Sequence, residues 1–436
     1  MSEVRVRFAP SPTGKVHIGN IRAAIYNWLY ARHTDGKFLL RIEDTDLERS
    51  TPEAIKVLLE CMDWLGLDYD EDAFYQTKNV KRHLEAVENL IASGHAYRCE
   101  RTSRDGKTGT VVMFKMPKEG VIEFDDIVKG RMAKNAEDIQ DFAILRSDGS
   151  PIFHIANVVD DIDQGITHII RGDDHVENTF KHICIFKALG AAVPRYGHLS
   201  MIVNSQGKPY SKRDGAAFVG EYRDAGFLPE ALFNYLLLLG WNPGDDREVL
   251  TREEMVREFD LEKVHVTAAK FDLKKLQWMN GEYVKRIPAE EFKKILVSKI
   301  EEKGLSADGV DLDFLVSQLQ VRTKFLSDMP DNCLAFFTDD YPFDEKAVEK
   351  RLKKDGVKEI LVDLMERFLK VGDWNAQSLE ELVKGLSQGQ GMGPWVHPIR
   401  VAVSGRAEGI GLFEMLQILG KEKTIARLSR AAQNLS

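Results

Sequence analysis

Arg7-Phe8-Ala9-Pro10-Ser11-Pro12-Thr13-Gly14-Lys15-Val16-His17-Ile18-Gly19-Asn20 is the stretch on which the fold turns. Before it, Val4-Arg5-Val6-Arg7-Phe8 alternates as a strand does. After it, Ile21, Ile25, Trp28 and Leu29 share one face of a helix. Gly36 stops that helix, and Lys37-Phe38-Leu39-Leu40-Arg41-Ile42 reads as a second, buried strand. Strand, helix and strand form a βαβ unit, which implies a parallel sheet with a ligand crevice at its strand ends.

The turn has its own chemistry. Pro10 and Pro12 stiffen it and remove two amide donors. Gly14 lets the backbone reverse. His17 and Gly19 fall at the first turn of the helix, where unpaired amides and the dipole favour anions. Alone, His-x-Gly also reads as a capping histidine at an ordinary strand-to-helix turn. The fourteen residues together favour a binding turn.

Outward from this unit, composition bounds the rest. The chain has 436 residues, 43% hydrophobic and 30% charged, which suits a soluble protein of two to four domains. Its first residues are charged and no apolar run is long enough to span a bilayer, so no membrane association is expected. Cys61, Cys99, Cys184 and Cys333 show no paired spacing, which fits reduced cytoplasmic thiols. A net charge of −9 argues against a general nucleic-acid binder, but leaves room for one nucleic acid held by local basic patches.

Arg41-Ile42-Glu43-Asp44-Thr45-Asp46 puts three carboxylates at a strand end, either facing the crevice or forming a solvated turn. Ser50, Pro52 and Glu53 resemble a capping box ahead of an apolar stripe running from Ile55 to Leu65. A helix is expected from about Lys81 to Ser93. Residues 99–149 read as short strands, 110–115 and 121–124, between turns at Asp105-Gly106 and Lys118-Glu119-Gly120. The sheet is expected to resume at 151–161 and again before Arg171, whose guanidinium pairs either with Asp173 or Asp174 or with a ligand. Residues 204–215 form a basic, hydroxyl-bearing loop bracketed by Gly207 and Gly215. Lys270, Lys274 and Lys275 make either a phosphate patch or a solvated face. From about Pro288 onward the chain reads as all-helical, with breaks that include the loop 389–394. Arg322 precedes Phe325, Leu326 and Met329 at helical spacing, which aims it away from the core.

These motifs together resemble class I aminoacyl-tRNA synthetases of the glutamyl type, over nearly the whole chain. The opening stretch resembles their first signature, the "HIGH" region, with Asn20 at its last position. Ser211-Lys212-Arg213 resembles the second signature, the "KMSKS" loop, with Pro209 in place of the usual first lysine. The resemblance implies an α/β Rossmann-type catalytic domain split over 1–98 and 150–200. It implies a short α+β acceptor-binding insertion at 99–149, a stem-contact domain at 201–287 and an all-α anticodon-binding region at 288–436. It implies ATP contacts from Pro10, Gly14, His17, Gly19, Ser211, Lys212 and Arg213, with His17 and Lys212 catalytic. Glutamate contacts are implied for Arg7, Ser11, Glu43, Phe153, Asn157 and Arg171; relatives usually carry tyrosine where Phe153 stands. Lys274, Lys275 and Arg322 are carried over to tRNA. ATP accompanied by Mg²⁺, L-glutamate and tRNA(Glu) are the implied cofactor and partners, with a cytoplasmic monomer expected. Some relatives hold zinc in the insertion; Cys99 stands there without partners, so no zinc is expected. The implied reaction joins glutamate to the 3′ end of tRNA through a glutamyl-adenylate. Three other readings compete: a paralogue charging glutamine tRNA with glutamate, a paralogue glutamylating a modified tRNA base, and a non-catalytic tRNA-binding relative. Residues 288–436 argue against the second, which lacks an anticodon region.

Overall fold

A computed structural model of the protein describes residues 3–46, 49–102, 106, 108–387 and 391–435. Asp105 of the expected turn, and Gly389 and Gln390 of the expected loop, lie outside the described residues. The chain divides into two compact units, Met1–Met279 and Asn280–Ser436.

In the first unit, the strand Arg5–Phe8 pairs parallel with Lys37–Ile42, which pairs parallel with Phe74–Tyr75. On its other side, the amide of Thr167 donates to Arg5 O at 2.9 Å and sets His168–Gly172 alongside. Arg195–Leu199 continues the parallel set, and the end of Val121–Asp126 joins it through Tyr196 and Asp126. The chain therefore builds outward in both directions from Arg5–Phe8 and His168–Gly172. A reversal of strand order of this kind opens a crevice at the carboxyl ends of the strands. Arg7 and Arg171 stand at those two ends.

The alternation expected of the first strand is absent: Val6, Arg7 and Phe8 are all buried. Helices cover both faces of a parallel sheet, so both side-chain sets are enclosed. The helix Ile18–His33 buries Ile21, Ile25, Trp28 and Leu29, as its spacing predicts. Gly36 allows the return, because a Cβ there would stand 2.4 Å from Val4 O.

Residues 151–161 depart from expectation. The segment is not a strand; it forms the helix Phe153–Asp163. Its β-branched residues suggest a strand, yet Ile155, Val158, Val159 and Ile162 recur at helical spacing and pack into the core. The cap of the next expected helix also shifts by one residue. Thr51, not Ser50, accepts from Ala54 N at 3.2 Å, with Pro52 opening Pro52–Trp64. The expected helix near Lys81 spans Val80–Ala92. Residues 96–145 are strand-rich as read. Ala96–Thr102, Thr108–Phe114 and Phe142–Leu145 make an antiparallel sheet, while Val121–Asp126 and Gly130–Asn135 extend the parallel one.

The second unit has no strand among the described residues. Ala289–Glu302, Val357–Leu369, Gly393–Ser404, Leu412–Leu419 and Lys421–Gln433 are its longer or better-buried helices, packing Phe292, Leu361, Phe368, Ile399 and Leu428 inside. No helix among the described residues is long and apolar enough to cross a membrane.

Candidate active site

The crevice between the two central strands is a cavity of about 700 Å³. Arg7, Pro10, Ser11, His17 and Gly19 line it from the opening stretch, and Glu43 from the end of the second strand. Phe153 and Asn157 reach it from the helix, and Arg171 from the strand His168–Gly172. Gly14, Ser211, Lys212 and Arg213 are not among its lining residues.

His17 caps the helix Ile18–His33. Its Nδ1 accepts from Gly19 N at 3.0 Å, so the ring proton sits on Nε2. Burial holds its pKa below the usual histidine value, leaving a neutral ring whose N–H can donate. Gly14, at φ +111°, makes the reversal ahead of it. The lysine loop comes close through one aromatic ring. Lys212 Nζ lies 4.7 Å from the centre of Phe218, and the His17 ring packs edge-on against the same side chain. The backbone joins them too, since Ile18 N donates to Ala217 O and Val219 N to Val16 O. Within the loop, Asp214 accepts from Asn204 Nδ2 and from Ser211 N, tying its two ends together.

The three carboxylates of 43–46 separate. Only Glu43 lines the cavity. Asp44 accepts from Thr77 N and Oγ1, and Asp46 pairs with Arg49, so both act locally. Glu43 accepts from Asn157 Nδ2 at 2.6 Å and lies 3.4 Å from Arg41. Burial raises its pKa, against the pull of Arg41 and Arg7. Behind it, Asp161 accepts from Arg7 Nε at 3.0 Å and Arg41 Nη1 at 2.6 Å, with all three side chains buried. Burial alone would raise the Asp161 pKa; the two guanidinium groups outweigh it.

Arg171 pairs with neither of its expected structural partners. Asp173 goes to Lys129 at 3.0 Å and Asp174 to His175 at 3.5 Å. Arg171 donates instead to His198 Nε2, Thr179 Oγ1 and the His175 carbonyl, and forms no ion pair among the described residues. Burial lowers its pKa to about 10, against the weaker pull of Asp161 and Glu43, so it stays charged at neutral pH with no carboxylate in contact among the described residues. The sequence reading missed Arg41, Asp126, Asp161, Thr179 and His198. Arg41 lies in an apolar run, Asp161 and Thr179 in helices and Asp126 and His198 in strands, and only contacts between distant segments show their use.

Buried histidines give the unit an acid weakness. Burial lowers His154 to about 4 and His168 to about 4, and depresses His182 and His198 as well. The unfolded chain therefore takes up protons below about pH 6.5 that the folded unit refuses. Stability is intact above about pH 7 and falls between about 6.5 and 4, by on the order of 1 kcal/mol for each of His154 and His168 after solvent screening. Hydrogen exchange of residues 153–199 at pH 7.5 and 5 checks this, and equal opening free energies at the two values would contradict it.

The outlying residues differ in setting. Lys275 pairs with Glu248, which neutralises part of the expected phosphate patch, whereas Lys274 is exposed. No helix runs through 322–329. Arg322 ends the 3₁₀ turn Gln320–Arg322, is exposed, and donates to Gln318 O at 2.9 Å. Its charge reaches Arg400, whose pKa falls through burial first and Arg322 second. No cluster of three metal-ligating side chains occurs among the described residues.

Comparison with known proteins decides the family. The family described as tRNA synthetases class I (E and Q), catalytic domain, matches residues 3–108 and 101–278, and an anticodon binding domain matches 266–432. The glutamate–tRNA ligase of Francisella philomiragia is 41% identical, over 99% of both chains. This chain belongs to the glutamate–tRNA ligase family. Another member, from Geotalea uraniireducens, is 41% identical over 99% of this chain and 98% of its own. A crystal structure of a glutamate tRNA ligase from Elizabethkingia meningosepticum, in complex with its amino acid, matches all of both chains at a TM-score of 0.88 and 28% identity. The class I assignment accords with the Rossmann-like first unit and the helical second.

Proposed function

We propose that this protein attaches L-glutamate to the 3′ end of tRNA(Glu) at the expense of ATP. The observation that carries the reading is Arg171, a buried cation that forms no ion pair among the described residues and lines the same cavity as the His17–Gly19 turn. A guanidinium presents parallel donors to a carboxylate, which suits the substrate side chain, with Arg7 adding charge from the neighbouring strand. Glu43 and Asn157 hold the α-ammonium, and Ser11 and Phe153 bound the amino acid. The substrate α-carboxylate attacks the α-phosphorus of ATP in line. A P–O bond forms as the bond to pyrophosphate breaks. The tRNA terminal hydroxyl then attacks the activated carbonyl and AMP leaves.

No protein nucleophile is needed; position and charge supply the catalysis. Pro10, Gly14 and Gly19 shape the turn around ATP, and His17 Nε2–H donates to phosphate oxygen. Lys212, helped by Ser211 and Arg213, neutralises charge on the phosphates and the departing pyrophosphate. Mg²⁺ is proposed to accompany ATP, where it would add positive charge at the phosphates. The insertion is proposed to hold no zinc, because Cys99 has no second cysteine near it in the sequence. The protein is proposed to act as a cytoplasmic monomer, with Lys274 and Lys275 beside the tRNA stem. Aminoacylation of purified glutamate and glutamine tRNAs tests the reading directly; charging of neither would overturn it.

Arg322 is proposed to make the enzyme discriminating. Glutamate and glutamine tRNAs differ at the third anticodon position, and an exposed guanidinium can donate to a base edge there or stack on it. A good base contact contributes about 1–3 kcal/mol of discrimination, so one arginine shifts tRNA choice about tenfold or more. Wild type should charge glutamate tRNA well and glutamine tRNA poorly. Arg322→Gln should narrow that gap and leave adenylate formation intact. Equal charging of both tRNAs by the wild type counts against the role.

A further inference from the structure

Behind Arg171 lies a buried pair that no reading of the sequence singled out. Asp126 ends a strand of the insertion, and His198 sits in the neighbouring strand Arg195–Leu199; both side chains are fully enclosed. Asp126 Oδ1 is anchored by three amides, Val128 N at 3.0 Å, Lys129 N at 2.9 Å and His198 N at 3.2 Å. Its Oδ2 lies 2.5 Å from His198 Nδ1. Three amide donors on the same carboxyl favour the ionised form, which accepts only. The imidazole proton therefore sits on Nδ1, and the lone pair of Nε2 faces outward. Arg171 Nε donates to that nitrogen at 3.3 Å, and Thr179 Oγ1 lies 3.1 Å from it. Thr179 also takes Arg171 Nη2 at 2.7 Å, and the His175 carbonyl takes it at 3.3 Å. One edge of the guanidinium is thus bound to protein, and Nη1 has no protein partner among the described residues.

We propose that Asp126 and His198 are positioning residues for glutamate recognition: they fix the histidine tautomer that turns the free Nη1 of Arg171 to the substrate carboxylate. The inference rests on the reading of Arg171 as the group that meets that carboxylate. The insertion then has a part in the amino-acid pocket, because its hairpin supplies the carboxylate that sets the tautomer. His198 in the other tautomer would aim an N–H at the Arg171 N–H, and the guanidinium would have to turn away.

The test is steady-state aminoacylation at saturating tRNA by the full-length chain, with four variants. Asp126→Asn keeps an oxygen for the turn amides but places an amide donor opposite His198 Nδ1, which forces the other tautomer. His198→Leu removes the acceptor, and His198→Gln can return a carbonyl oxygen to the place of Nε2. Losing one hydrogen bond to a charged group should raise the glutamate KM about tenfold or more in Asp126→Asn and His198→Leu. The ATP KM should stay within about twofold, a split that general unfolding would not give, and His198→Gln should recover most of the loss. An unchanged glutamate KM in Asp126→Asn overturns the proposal, as does a His198→Gln enzyme as impaired as His198→Leu. Arg171→Gln separates the two levels. A normal glutamate KM there refutes the reading of Arg171 itself, whereas a raised one beside a normal Asp126→Asn refutes only the positioning pair. Should His198→Leu fail to fold, Asp126→Asn and Arg171→Gln decide.

Discussion

Replacing Lys212 by alanine is expected to lower aminoacylation by about 10²–10³-fold, the usual loss when one transition-state charge stabiliser goes. Two independent placements support this. The loop ends are tied by Asn204 and Asp214, so Lys212 rides on a closed turn rather than a free strand of chain. Its ammonium rests over Phe218, the ring that also packs against His17. A contact of this kind contributes only about 0.5–1 kcal/mol at an exposed site, too little to justify the lysine as a structural element. It does hold the charge near His17, the residue proposed to meet the phosphates. The truncation should therefore leave thermal stability almost unchanged and act on turnover. Lys212→Arg keeps charge but spreads it over a planar fork, and should recover part of the rate. Near-normal turnover in Lys212→Ala would remove Lys212 from the chemistry.

How far the sequence could be read depended on whether partners were near each other along the chain. His17, Gly19 and Arg7 lie within one βαβ unit, so local pattern places them at a strand end. Arg171 follows an apolar run and is placed the same way. Residues 153–163 mislead because Ile, Val and Phe favour strands, and the helical spacing of Ile155, Val158 and Ile162 is short and overlaid by that preference. Asn157 nonetheless reaches Glu43, since the helix lies over the strand ends. The Arg41–Asp161 pair joins residues 120 positions apart, and the Asp126–His198 pair residues 72 apart. No local pattern carries such contacts. Asp44 and Asp173 show the converse: carboxylates beside a candidate site in sequence, each occupied with a local task in space.

Arg171→Gln is expected to do two opposite things, losing glutamate use while gaining stability. The guanidinium is 8% exposed and has hydrogen bonds but no ion pair among the described residues. A pKa lowered from 12.5 to about 10 corresponds to about 3 kcal/mol of penalty on the charged form. Glutamine keeps an amide donor for Thr179 and removes the charge, so the free protein should gain about 1–3 kcal/mol. The substrate carboxylate, by contrast, would enter a buried pocket without its partner, a loss of about 2–5 kcal/mol. That corresponds to at least about 30-fold in kcat/KM for glutamate, with the ATP KM near wild type. Thermal melts supply the second readout. Saturating glutamate should raise the wild-type midpoint, because a ligand that binds only the folded state stabilises it. It should not move that of Arg171→Gln, whose midpoint without ligand begins higher. A destabilised variant with wild-type glutamate kinetics would mean that Arg171 is held for Thr179, His175 and His198 alone, a structural cation and not the carboxylate's receptor.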